Sequence, residues 1–366
     1  MKILFLSSHA HLVLDESSTL TSGGAELQVA LLAQSLAHRG HDVVIAAGDT
    51  GQADRSVLKG LRVRNAGKFH TGRMPEMIAS MPRVFRVLQE EKPDWVVVMG
   101  WTAWLFVLWL WRPLLGCKLD YICALDTEVN GEYRRAHPFL GGLFEFALRR
   151  CDARHAITRD QLEHYRRRGM EASFYRYLLV PRPPGDRPAK DTDFLWVSRC
   201  VAMKRPELFL DLAEALPANS FEMICPPQDR ELYERIAARA AGLPNVRFLE
   251  SVPYSKVQRH YDRARVFVNT SEWEGWPNSF IQAGLGRAAL LSLAVNPDDI
   301  FGTFHPGIHT KGDFAALLEG AKAMMADTSG LERMQEGCER FVNEMHDSEK
   351  ETDAFLRGLA AEDRTL

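Results

Sequence analysis

Short apolar runs alternate along the chain with longer stretches of helical periodicity. Lys2 to Ser8 reads as a buried strand, a polar loop follows from His9 to Gly24, and Ala25 to His38 repeats its apolar residues at helical spacing before stopping at Gly40, a natural position just past a helix end. His41 to Ala46 begins the next strand, and a strand–helix–strand unit of this kind implies a parallel sheet. Apolar runs at Val96 to Met99, Tyr121 to Leu125 and His155 to Thr158 continue the alternation. PRPPGDRP, Pro181 to Pro188, forms neither helix nor central strand and reads as a linker. Beyond it the pattern restarts: strands at Phe194 to Ser198, Phe221 to Cys225, Val246 to Leu249, Val266 to Asn269 and Ala289 to Leu293, with helices from Pro206, Gln228, Tyr254 and Asn278. From Asp313 onward the pattern is helical, and the last piece, Glu349 to Leu359, is placed to cross back onto the first domain.

Length sharpens this reading. The 366 residues exceed the roughly 250 to 300 at which one core stops growing. Two doubly wound α/β domains are expected, residues 1–185 and 186–345, with 346–366 as the returning helix. At 46% hydrophobic and 25% charged residues the composition is that of a globular protein, neither collagen-like nor disordered. Six cysteines without C-x-x-C spacing argue against a zinc site and a disulfide framework, and a reducing cytoplasm suits them. The apolar start MKILFL is too short for a signal peptide.

One segment strains the globular reading. Trp95 to Trp111, WVVVMGWTAWLFVLWLW, is apolar almost throughout and carries five of the eight tryptophans. It is shorter than the roughly 20 residues of a span, Gly100 divides it, and Asp94 and Arg112 bound it. A buried strand Trp95 to Met99 followed by a helix is expected, with Trp101, Trp104, Leu105, Leu108 and Trp109 forming a packed stripe whose outer members are placed to touch lipid headgroups.

Charge is divided unevenly. Up to residue 187 there are 25 Lys+Arg against 20 Asp+Glu, leaving 20 against 28 beyond it, so +5 and −8 sum to the net −3. Much of the front excess lies in Arg134, Arg135, Arg149, Arg150, Arg154, Arg159 and Arg166 to Arg168, which suit a phosphate-bearing substrate or an anionic membrane surface and are equally explained as solvated helix faces.

Open parallel sheets hold ligands outside the carboxyl ends of their strands, so the crevice between two facing domains is where functional residues are sought. Gly23 and Gly24 open a helix whose N–H groups face an anion or simply join loop to helix. In LWVSRCVAMKRPE, Arg199 follows a strand and Lys204 precedes Pro206 at a helix start, which suits a diphosphate. In EWEGWPNSFIQA, Asn278 or Ser279 caps a helix and Ser279 with Gln282 matches a capping box, which leaves Glu274 to Pro277 unexplained. A carboxylate on a rigid loop beside helix N–H groups accepts hydrogen bonds from sugar hydroxyls while those groups receive phosphate. Asp191-x-Asp193 reads as turn chemistry, His9 and His11 as solvated, and neither a P-loop nor a dinucleotide fingerprint is present.

Glu274-Gly275-Trp276-Pro277-Asn278-Ser279-Phe280-Ile281-Gln282 resembles the donor motif of the family 4 retaining glycosyltransferases, in the variant E-G-F-P-N-x-x-x-E/Q. Arg199 and Lys204 fall at the spacing of that family's G-R-x-x-x-x-K stretch, and Gly23-Gly24-Ala25-Glu26 with LAHRGHDVVIA is similar to its N-terminal glycine loop. The resemblance implies a GT-B fold, two Rossmann-like domains facing across a cleft. It implies a nucleoside diphosphate sugar donor, UDP or GDP, held mainly by the second domain, a carbohydrate or lipid-linked acceptor held by the first, and no metal or other cofactor. By position, Arg199 and Lys204 bind the diphosphate, Glu274 the sugar hydroxyls, Pro277, Asn278 and Ser279 the sugar or phosphate through the backbone, and Gln282 the ribose. Val252, in the loop Ser251 to Tyr254, lies near the base, and Gly23 and Gly24 complete the donor set. The pattern departs at Gln282, where a second Glu is usual, and at Asp126, which stands where many members have a histidine and is the candidate for contacting the reacting hydroxyl.

The function expected is hexosyl transfer in cell-surface polysaccharide or lipid-linked glycan assembly, in the cytoplasm or peripherally at the inner membrane face through the N-terminal domain, without nucleic acid. A nucleotide-sugar epimerase of the same fold and a non-catalytic nucleotide-sugar-binding protein are the alternatives.

Overall fold

Central strands of a parallel sheet are covered on both faces, which demands near-continuous apolar runs, and the first sheet shows this at ILFL, VVIAA and WVVV. The structure, a computed structural model, describes residues 1–15, 22–69, 74–100, 102–180, 185 and 187–361. The chain divides into two units, Met1–Leu178 with Asp347–Leu366, and Leu179–His346, so the divisions fall at 178/179 and 346/347 where 185/186 and 345/346 were expected.

In chain order the first unit contains β1 (Lys2–Leu6), α1 (Ala10–Leu14), α2 (Gly24–His38), β2 (Asp42–Ala47), β3 (Arg55–Leu58), β4 (Leu61–Asn65), α3 (Met74–Glu91) and β5 (Trp95–Met99). It continues through α4 (Trp104–Leu115), β6 (Lys118–Ile122), α5 (Glu132–Ala136), α6 (Pro138–Leu148), β7 (Ala153–Ala156), α7 (Arg159–Arg167) and β8 (Ser173–Phe174). Its strand order is β3-β4-β2-β1-β5-β6-β7-β8, parallel except for the β3/β4 hairpin at one edge. The second unit comprises β9 (Thr192–Val197), α8 (Pro206–Ala215), β10 (Phe221–Ile224), α9 (Arg230–Ala241), β11 (Val246–Leu249), α10 (Tyr254–Arg263), β12 (Ala264–Asn269) and α11 (Asn278–Leu285). There follow β13 (Ala289–Ser292), α12 (Ile300–Phe304), β14 (Gly307–His309), α13 (Phe314–Ala326) and α14 (Thr328–Met345). Its order, β11-β10-β9-β12-β13-β14, is that of a dinucleotide-binding sheet and is parallel throughout.

Several expectations need correcting. Residues 9–24 are not all loop: Ala10–Leu14 is a helical turn whose His11 is buried against the Thr50 hydroxyl at 2.9 Å, not solvated. The strand expected at Tyr121 to Leu125 lies earlier, at Lys118–Ile122, because its buried Asp120 is paired with His155 at 2.8 Å and so occupies a core position despite its charge. Asp193 is a strand residue rather than a turn, its carboxylate taking the Ser220 N–H at 3.0 Å. The antiparallel β3/β4 edge was not anticipated. Trp101 and most of the linker lie outside the described residues; Trp104, Leu105 and Leu108 are buried and Trp109 is half-buried.

The last helix, α15 (Ser348–Ala361), belongs to the first unit. Phe355 packs against the rings of His155 at 4.6 Å and Tyr175 at 5.6 Å, while Arg39, just after α2, meets Glu349 at 2.6 Å and also Asp353. In the second unit Gly284 lets α11 approach α14 closely, since a Cβ there would overlap Val342.

The basic cluster is largely structural. Glu145, buried on α6, is met by Arg134 at 2.8 Å, Arg149 at 2.9 Å and Arg168 at 2.6 Å. Burial pushes its pKa up, but the three guanidinium groups outweigh this and hold it at about 2. Because the folded value lies below the unfolded one, this carboxylate contributes stability above pH 4.5 that is lost as pH falls toward 2. Glu145→Gln is expected to cost about 2 kcal/mol at pH 7. In urea titrations the gap between parent and variant should shrink by about 1 kcal/mol from pH 5 to pH 3.5; a gap constant with pH would show that the arginines do not act on Glu145.

Candidate functional site

In the second sheet the chain reverses direction of travel between β9 and β12, its two central strands, which pair through Val266 with Phe194 and Phe267 with Leu195. A crevice opens outside the carboxyl ends of strands at such a point. β9 is followed there by Arg199 and a short 3-10 turn, Ala202–Lys204. Arg205 takes the left-handed conformation at φ 47°, and Pro206 starts α8 as its first residue, where its missing N–H costs nothing. β12 is followed by Thr270, Ser271 and the acidic loop, and Pro277 precedes α11.

The two strand ends are joined by a partly buried ion pair. Lys204 Nζ lies 2.9 Å from Glu274 Oε2, with the side chains only 12% and 15% exposed. The other carboxylate oxygen, Oε1, accepts from Asn269 Nδ2 at 2.8 Å and from Ser271 Oγ at 2.7 Å. Thr270, fully buried, donates its hydroxyl to the Lys204 carbonyl at 2.7 Å and accepts from Trp196 Nε1 at 2.9 Å. The Glu272 N–H donates to the Met203 carbonyl at 3.0 Å, a second backbone tie between the loops. Glu274 is thereby fixed in place, and its three contacts come from two residues of its own strand end and one cation across the switch point.

Of the residues expected to act together, Lys204 and Glu274 are in contact, and Arg199 sits exposed on the loop that carries Lys204. Asn278 and Ser279 are the first two residues of α11, both half-buried. The expected capping box is absent: Pro277 is the N-cap, so Ser279 lies inside the helix and Gln282 does not close onto a cap. Gln282 is buried; its carbonyl accepts from Gln258 Nε2 at 3.0 Å, and its own Nε2 has no partner among the described residues. Trp276 is buried edge-on to His346 at 4.9 Å, which anchors the motif's aromatic position. Val252 follows β11, two strands from β9 at the sheet's edge, just before α10.

The remaining candidates belong to the first unit. Gly23 is the N-cap of α2, and Glu26 folds its carboxylate back over it, so the head of this helix already faces an acid of its own. His9, half-buried beside it, has its pKa lowered by burial against the pull of Glu26. Asp126 is half-buried at the start of a 3-10 turn after β6. Two residues on, Glu128 is the buried acid of that turn, accepting from Tyr121 OH at 2.7 Å and the Ala124 N–H at 2.8 Å. Sequence reasoning missed Glu128, and it missed Asn269, Thr270 and Ser271. Their one signal is three consecutive polar residues ending an otherwise apolar strand. Among the described residues no group of three or more His, Cys, Asp or Glu is placed to hold a metal ion, and all six cysteines are free and buried.

Residues 23–183 match the family described as glycosyl transferase 4-like domain, and residues 182–339 match glycosyl transferases group 1. By family, the chain is a glycosyltransferase. Its fold is GT-B. Sucrose-phosphate synthase from Thermosynechococcus elongatus superposes with a TM-score of 0.79 at 17% identity over 99% of both chains. WaaG, a glycosyltransferase involved in lipopolysaccharide biosynthesis, gives 0.70 at 15% identity over 97% of this chain and 99% of the other. An Escherichia coli structure described as trehalose-6-phosphate bound with UDP-2-fluoro glucose gives 0.69 at 11% identity over 98% and 99%. At these identities the likeness establishes the fold alone. Among curated proteins, none matches the chain in sequence.

The network around Lys204 makes its own prediction for this glycosyltransferase. Thr270→Val removes the acceptor of a buried indole N–H and the donor to the Lys204 carbonyl, and should cost about 2 kcal/mol in a urea titration. Unchanged stability would mean that Thr270 does not brace the loop.

Proposed function

We propose that the chain is a retaining glycosyltransferase that moves a hexose from a nucleoside diphosphate sugar to a hydroxyl of a carbohydrate or lipid-linked acceptor. The observation that carries this reading is the Lys204–Glu274 pair at the switch point, with the exposed Arg199 guanidinium on the same loop. Two cations against one carboxylate leave the site net positive, as an incoming diphosphate requires.

As the bond to the anomeric carbon breaks, negative charge grows on the leaving diphosphate. Arg199 and Lys204 neutralise it there, which lowers the barrier because the stabilisation is stronger in the transition state than in the ground state. Lys204 has three N–H donors and can hold Glu274 with one while offering others to phosphate. Glu274, fixed by Asn269 and Ser271, accepts from sugar hydroxyls and positions the ring. The first-turn N–H groups of α11 at Asn278 and Ser279 support the phosphate or sugar. Gln282 offers its unpartnered Nε2 as a donor to a ribose oxygen, whereas the Glu usual in the family only accepts. Asp126 is the group proposed to contact the acceptor hydroxyl.

Calorimetric titration with UDP, GDP and ADP tests the donor site. One of them should bind, and Lys204→Ala and Arg199→Ala should each weaken it by about 30-fold, the loss of a charge-assisted contact worth about 2 kcal/mol. Unchanged affinity in both variants would refute the assignment. Retention is read separately, from the anomeric configuration of the transferred sugar by NMR.

A further inference from the structure

We propose that the outer faces of α4 and α6 form a docking surface for an anionic lipid bilayer. Surface helices of globular proteins turn a polar face outward, yet α4, WLFVLWLWRPLL, has no such face. Its inner side buries Trp104, Leu105, Val107 and Leu108 in the core. The opposite side carries Phe106, Trp109, Leu110, Pro113 and Leu114, with Leu110 51% and Leu114 75% exposed. Twelve residues extend only about 18 Å as a helix, too short to span a bilayer. Among the described residues no helix is long and apolar enough to cross a membrane.

α6 continues the patch. Phe146 meets Trp109 edge-on at 4.8 Å, and Trp109 stacks on Phe106 at 5.8 Å, so the two helices share one aromatic seam. Phe139, two turns before Phe146 on the same face, is 76% exposed, and Phe146 itself is 37% exposed. An apolar surface of this extent, built on two adjoining helices, marks an interaction site.

Charge selects the partner. α4 contains no acidic residue, and the one acid of α6, Glu145, is buried under Arg134, Arg149 and Arg168, which leaves that group at +2. The Arg150 guanidinium lies over the Phe146 ring at 3.7 Å, and Arg135 is exposed in the run from Arg134 to Phe139. Aromatic and leucine side chains bordered by arginines suit the interface of a membrane rich in anionic headgroups, where the rings enter the acyl boundary and the cations remain with the phosphates. The Trp109 and Phe106 rings, half-buried in the seam, hold the patch in shape before it meets lipid.

The full chain is floated with vesicles of phosphatidylcholine alone and of phosphatidylcholine with about a third phosphatidylglycerol, at low and high salt. Binding is expected to the anionic vesicles only and to weaken as salt rises. Leu110→Ser/Leu114→Ser/Phe139→Ser should reduce it at least about tenfold with an unchanged thermal melt, and Arg135→Glu/Arg150→Glu should do the same. Should the triple variant fold poorly, Leu114→Ser alone, at the most exposed leucine, provides the same readout. Equal binding to both vesicle types, no binding to either, or no effect of the substitutions would overturn the proposal. So would a dimer in sedimentation velocity that the triple variant dissolves, because a second copy of the chain would then be the occupant.

Discussion

The ion pair between Lys204 and Glu274 is the constraint on which the candidate site depends. It joins the ends of two adjacent strands whose connections leave the sheet in opposite directions, and the Thr270 hydroxyl and the Glu272 N–H add hydrogen bonds across the same point. Burying two charges is costly unless their remaining hydrogen-bonding capacity is met. Here Asn269 and Ser271 satisfy Glu274 Oε1, and Thr270, itself held by Trp196, fixes the backbone that carries Lys204. A mobile lysine would gain little from meeting a phosphate, since most of the gain would be lost in ordering its side chain. Fixed by the pair, it loses little further freedom.

Both sheets are built on one order. β4-β2-β1-β5-β6-β7 in the first unit repeats β11-β10-β9-β12-β13-β14 in the second, with β3 and β8 added at its edges. Each therefore has its own switch point, the first between β1 and β5. The loop after β1 carries His9, and Glu26 at the head of α2 is close enough to act on it. The second unit offers cations where the first offers a carboxylate and an imidazole whose pKa burial has lowered. That difference supports the proposed division of work, in which one unit holds an anionic donor and the other a neutral hydroxyl acceptor.

Most of the architecture was legible in the sequence because the patterns were strong and sharply bounded. β11, the start of α10 at Tyr254 and the start of α11 at Asn278 fall where expected, the two helix starts each marked by a preceding proline. Polar residues inside elements defeated the reading elsewhere. Lys118 and Asp120 obscured the start of β6, and the apolar CAL of Cys123 to Leu125 drew the strand three residues late. Arg62, Arg64 and Asn65 hid β4, whose charges pair with Glu90 and Glu91 of α3. In the site, Arg199, Lys204 and Glu274 stood out through their spacing, but Asn269, Thr270 and Ser271 did not. Nothing in a run of small polar residues after a strand distinguishes bracing a carboxylate from making a turn.

The same limit explains α4. Periodicity locates the stripe that faces the core, and Trp104, Leu105 and Leu108 lie in it as expected. It does not report what covers the opposite side, because a helix apolar all round gives the same moment whether it is enclosed by protein or by lipid. In the structure that side stands exposed at Leu110 and Leu114. Core packing requires only the inner residues, so Leu110 and Leu114 add nothing to the interior that a polar side chain would take away. Exposed leucines lower solubility and raise the risk of aggregation. Their presence on helices packed together with Phe139 and Phe146, where the one acid of α6 is buried under arginines, is what the proposed lipid surface accounts for.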